Sequence, residues 1–162
     1  MPKVILMCGK ICSGKSYYAK RLKQKTNAVI LSCDEMVFDL SLDDIGDKHD
    51  ELVAKIKKYL HKKSREIIEA GTDVILDFGF WSKKEREEVS KYYSERGIAF
   101  EWHYIDISDE DWKRNINERN SLVSKGLSQS FFVDEGLLKK MESIFEEPLK
   151  QEMDVWYTNK RL

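Results

Sequence analysis

The segment Gly9-Lys10-Ile11-Cys12-Ser13-Gly14-Lys15-Ser16 constrains this chain more than any other. It matches G-x-x-x-x-G-K-[ST] at every fixed position. An apolar run, Lys3 to Cys8, precedes it, and Tyr17 to Lys25, which reads as a helix, follows it. Gly9 and Gly14 let the backbone turn tightly, so that successive N–H groups point at one anion. The following helix aims its positive end at the same anion. Lys15 adds a point charge suited to the outer phosphates of a nucleotide, and the Ser16 hydroxyl suits Mg²⁺. The competing reading is an ordinary strand-to-helix turn built on glycine. It does not account for a complete match in a strand–loop–helix setting.

Strands and helices alternate along the rest of the chain. Ala28 to Leu31 reads as a second buried strand, Thr72 to Leu76 as a third ending in Asp77, Ile98 to Ile107 as a fourth, and Asp154 to Thr158 as a short last one. Glu51 to Ala70 is the clearest helix. Leu52, Val53, Ile56, Leu60, Ile67 and Ile68 recur at helical spacing, and Gly71 is a natural stop. Ser82 with Glu85, and Ser108 with Asp111, are capping patterns for two more helices, the first running to about Arg96. Asp39 to Asp50 reads as an acidic loop or short irregular helix, Ser121 to Ser130 as a mobile loop, and Asp134 to Glu146 as a helix halted near Pro148. The alternation predicts an α/β chain with a mostly parallel sheet covered on both faces. A length of 162 residues suits one domain, 1–162.

Composition excludes several function classes. Lys and Arg number 28 against 29 Asp and Glu, so no global field draws the chain to nucleic acid or an anionic membrane. The basic residues of Lys55 to Arg65 interleave with apolar ones at helical spacing, as on a solvated helix face. The apolar run Val4 to Cys8 is too short for a membrane span or a secretory core, which makes the cytoplasm the expected compartment. Cys8, Cys12 and Cys33 form no disulfide framework, and His49, His61 and His103 are too scattered to complete a zinc set.

Other residues extend the site. Asp34 stands three residues past the second strand, at what would be the ligand-facing edge of a parallel sheet; it could orient or deprotonate a hydroxyl, or merely cap a helix. Asp77, after Val74-Ile75-Leu76, has the Walker-B arrangement for Mg²⁺. Phe78, Gly79, Phe80 and Trp81 could form an acceptor pocket, but core packing is the simpler reading of each aromatic. Arg119 lies in the apolar stripe of Trp112, Ile116 and Val123, and a guanidinium there demands an anion, for which a triphosphate is the obvious partner.

The loop Gly9–Ser16, with Asp34, Asp77 to Trp81 and Arg114 to Asn120, resembles the P-loop kinases of the adenylate-kinase-like group, in the branch of polynucleotide kinase, zeta toxin and chloramphenicol phosphotransferase. The resemblance implies a three-layer P-loop NTPase fold with a five-stranded parallel sheet in the order 2-3-1-4-5. It implies ATP and Mg²⁺ as cofactors and a hydroxyl-bearing acceptor. It also implies catalytic roles for Lys15, Asp34 and Arg119, nucleotide contacts from residues 9–16 and from Arg114 on adenine, Ser16 and Asp77 at the metal, and a lid at 121–130. A GTPase switch is disfavoured, because Asn159-Lys160 is followed by Arg161-Leu162 rather than the guanine motif, and Asp43-x-x-Gly46 follows no strand. A nucleotide-binding ATPase or regulator without an acceptor is the alternative. The acceptor's identity stays open among antibiotics, sugars, nucleosides and nucleic-acid ends.

Overall fold

The computed structural model describes residues 1–40, 42, 46–128 and 130–160. Asp43 of the switch-like letters, Gln129 of the lid segment and the Arg161-Leu162 pair lie outside the described residues. Five strands, β1 (Val4–Cys8), β2 (Val29–Ser32), β3 (Val74–Gly79), β4 (Phe100–Ile107) and β5 (Val155–Asn159), form one sheet in the order β2-β3-β1-β4-β5. Every adjacent pair is parallel, as the resemblance implied. The helices are α1 (Lys15–Thr26), α2 (Cys33–Asp39), α3 (His49–Glu69), α4 (Lys83–Ser94), α5 (Asp109–Ser124) and α6 (Glu135–Ile144).

The central strand shows why an apolar run was needed. All five residues of β1 are buried, because helices cover both faces of the sheet. Val4, Leu6 and Cys8 pack on one face with Val74, Leu76, Trp102 and Tyr104 and with Val89 and Tyr93 of α4. Ile5 and Met7 pack on the other with Ile75, Ile105 and Ala19 of α1. Two smaller cores sit at the sheet's ends. Ile107, Trp112, Ile116, Val133 and Met141 bind α5 and α6 to the end of β4. Cys33, Val37, Ile56 and Leu60 join α2 to α3.

Ser82 and Ser108 cap α4 and α5 as their sequence patterns required, accepting from the backbone N–H of Glu85 and Asp111 at 3.1 and 3.2 Å. Two boundaries differ from expectation. The segment after β2 is a helix, α2, with Ser32 as its cap; Asp34 lies inside it and does not cap it. Helix α5 continues to Ser124, so the first four residues of the segment read as a mobile loop are helical. Phe80 is a core residue, standing edge-on to Trp102 at 5.0 Å, and half-buried Phe78 packs against the same core. Among the described residues no helix is long and apolar enough to cross a membrane.

Candidate active site at the phosphate loop

Parallel strands all end on the same side, so the loops after β1, β2 and β3 converge at one edge. The loop between β1 and α1 begins with Gly9, whose N–H donates to Gly79 O at 3.0 Å. It ends with Gly14 at φ 98, in the left-handed region open to glycine. A side chain at Gly14 would collide with Asn159, which closes over it from β5.

Ser16, in the first turn of α1, donates its hydroxyl to Asp77 Oδ2 at 2.7 Å. Asp77 is 8 % exposed, so this carboxylate is held in a nearly dry site, facing the loop. Two oxygen donors converging this way have the chemistry of a hard divalent cation's site. Lys15 curls back over the loop, its Nζ donating to Lys10 O at 2.9 Å. The Lys10 side chain faces away, its Nζ 4.6 Å from the centre of the Trp112 ring.

The hydrogen bonds distinguish among the amides of residues 9–16. Gly9 N–H is held by Gly79 O, and Ile11 N–H points out to Met141 Sδ at 3.4 Å. The amides left to the cradle are those of Cys12 and Gly14, continued by Lys15 and Ser16 at the helix N-terminus. Ser13 N–H turns inward to Lys10 O at 3.2 Å. The Ser13 hydroxyl is buried and without a partner among the described residues.

Asp34 stands at the same sheet edge. Ser32 is paired with Asp77 across β2 and β3, and Asp34 follows two residues later, exposed in the first turn of α2. Four residues on, Phe38 rests edge-on against Phe131 at 5.6 Å.

Arg119 is half-buried on α5, in the stripe with Trp112 and Ile116, and its guanidinium reaches the Cys12 thiol. Burial pushes that thiol's pKa up, while the positive charges of Arg119 and Lys15 pull against the rise. Among the described residues Arg119 forms no ion pair. Arg114 is placed differently. It is exposed and bonded to Glu110 at 2.6 Å, with Asp111 at 3.6 Å, on its own helix. The adenine contact implied for it remains an expectation.

Three residues to which the sequence assigned no role at the loop also hold it. Trp112 Nε1 donates to Ile11 O at 2.7 Å, Asn115 Nδ2 to Cys12 O at 3.0 Å and Asn159 Nδ2 to Ser13 O at 3.0 Å. Their spacing along the chain carries no motif. Only the inward stripe of α5 hinted at the first two.

Comparison with known proteins agrees with this architecture. A family model of an AAA domain, AAA_33, matches residues 4–148. No curated protein matches the chain. A candidate kinase of Chloroflexus aurantiacus J-10-fl is 16 % identical with a TM-score of 0.69, over 98 % of this chain and 84 % of that one. The Mycobacterium tuberculosis APS kinase CysC, solved with AMPPNP and APS, is 18 % identical with a TM-score of 0.66, over 99 % and 90 % of the two chains. A sugar kinase from Janibacter sp. HTCC2649 is 14 % identical with a TM-score of 0.64, over 98 % and 86 %. At such identities the likeness is one of fold, and the fold shared is that of P-loop kinases. The family match runs from β1 through α6 and takes in the loop, Asp34, Asp77 and α5, so the chain belongs to the AAA_33 family of AAA domains.

Proposed function

We propose that the chain is a Mg-ATP-dependent kinase of the small P-loop kinase branch, transferring the γ-phosphoryl group to a hydroxyl of a small molecule or a nucleic-acid end. The observation that carries this reading is the 2.7 Å hydrogen bond from Ser16 to Asp77, which joins the loop's hydroxyl to the carboxylate ending β3. Those two side chains would hold Mg²⁺, which when bound supplies neutralisation of the phosphate oxygens.

The chain's own groups do the rest. Lys15 exchanges Lys10 O for the outer phosphates of ATP. Arg119, half-buried over Cys12, stabilises the charge that develops on the transferring group. Asp34 orients the acceptor hydroxyl and takes its proton. Residues around 121–130 close over the nucleotide as a lid. Catalysis on this reading is positioning and charge neutralisation, with no covalent step on the protein. Arg114, held by its own helix, enters only if nucleotide binding breaks those pairs.

The test is Lys15→Ala. Lys15 is half-buried beside the loop and outside the hydrophobic cores, so the variant should keep the wild-type melting temperature and lose nucleotide turnover. Undiminished turnover in that variant refutes the assignment.

A further inference from the structure

Four consecutive loop carbonyls are each bonded by a side chain: Lys10 O by Lys15 at 2.9 Å, Ile11 O by Trp112 at 2.7 Å, Cys12 O by Asn115 at 3.0 Å and Ser13 O by Asn159 at 3.0 Å. A trans peptide is planar, so its C=O and the next residue's N–H point in opposite directions. Fixing a carbonyl therefore aims an amide. Lys10 O turns inward to Lys15 Nζ and Ser13 N–H, and the N–H of the same peptide, on Ile11, goes outward to Met141. At the next peptide the sense reverses. The carbonyls of Ile11, Cys12 and Ser13 face α5 and β5, which leaves the N–H groups of Cys12, Ser13 and Gly14 on the inner side.

Nothing intrinsic to these residues enforces that arrangement. Residues 10–13 include no glycine, and Cys12 adopts φ 59, a left-handed conformation disfavoured for a non-glycine residue. Something outside the loop must hold it there. The donors that do so are neutral, so they fix the carbonyls without drawing an anion away from the amides. Trp112 is only 8 % exposed, which makes its N–H a committed donor to Ile11 O.

We infer that Trp112, Asn115 and Asn159 are positioning residues that form a collar around the phosphate loop, aiming the amides of Cys12 and Gly14 at a polyphosphate and holding the turn that Ser13 N–H closes onto Lys10 O. The inference rests on the proposed reading of the loop as a nucleotide site. It adds that the affinity of the loop is set by α5 and β5 as well as by its own sequence.

The experiment compares wild type with Trp112→Phe, Asn115→Leu and Asn159→Leu, by calorimetric titration with Mg-ATP and with inorganic tripolyphosphate and by thermal melting. Each variant removes one donor and keeps much of its volume. Below its melting transition, each should bind both polyphosphates roughly three- to tenfold more weakly, the value of one hydrogen bond. A variant that melts early yet binds like wild type while folded would show a structural role only and overturn the inference. If Trp112→Phe fails to fold, Asn159→Leu, at the end of β5, decides the matter. Failure of the wild type to bind either probe would overturn the reading of the loop itself, and the inference with it.

Discussion

Ser16 and Asp77 are 61 residues apart in the chain and 2.7 Å apart in space. Each was marked by the sequence for its own reason, the first as the last letter of a motif and the second as a lone acid after an apolar strand. A buried carboxylate needs a partner, and that need made Asp77 legible. Arg119 was legible by the same logic, as a guanidinium on an apolar stripe. Asp34 and Arg119 should act on transfer more than on binding. Asp34→Asn and Arg119→Ala are each expected to lower kcat by roughly 10²-fold or more, with ATP affinity within about threefold of wild type, by steady-state kinetics and equilibrium titration. Equal losses in binding and turnover would reduce either residue to a ground-state contact. Asn115 and Asn159 were not legible. An amide side chain suits turns, caps and surfaces alike, and only the fold brings these two against the loop.

Among the helices, the long periodic and capped ones were read well and the short one after β2 was given no bounds. Helix α3 declared itself through six apolar positions, and α4 and α5 through their serine caps. Helix α2 spans only Cys33–Asp39, about two turns, which is too short for an apolar period to emerge. Helix α5 ran past its expected end because Ser121 and Ser124 tolerate helix once Leu122 and Val123 are in place.

Helix α3 also carries a titration that the sequence did not announce. His61 bonds Tyr93 at 2.7 Å and stands edge-on to Phe78 at 5.4 Å, and burial lowers its pKa to about 4. The unfolded chain, with an ordinary histidine pKa of 6.5, therefore binds the proton more readily than the folded one. The stability that neutral His61 contributes is complete above about pH 6.5 and is lost as the pH falls toward 4. Urea melts at pH 7 and pH 5 should show about 2 kcal/mol more acid destabilisation in wild type than in His61→Phe. Parallel acid limbs in the two proteins would remove His61 from the account.

At the scale of the whole molecule, alternation of strands and helices pointed to a parallel sheet, and the resemblance to P-loop kinases supplied its order. The sheet then explains the site. Crossovers place the ends of β1, β2 and β3 side by side, which gathers the loop, Asp34 and Asp77 at one edge. What the sequence does not carry is the acceptor, because a hydroxyl beside a carboxylate is common to many substrates. The most direct measurement follows the γ-phosphoryl group itself. Radiolabelled Mg-ATP is incubated with the protein and a panel of sugars, nucleosides, hydroxylated antibiotics and 5′-hydroxyl oligonucleotides, beside Lys15→Ala as a control. The account predicts that one class of acceptor becomes labelled with stoichiometric release of ADP, and that the control transfers nothing. Label released only as free phosphate, at a rate no acceptor changes, would contradict it and leave a nucleotide-hydrolysing regulator in its place.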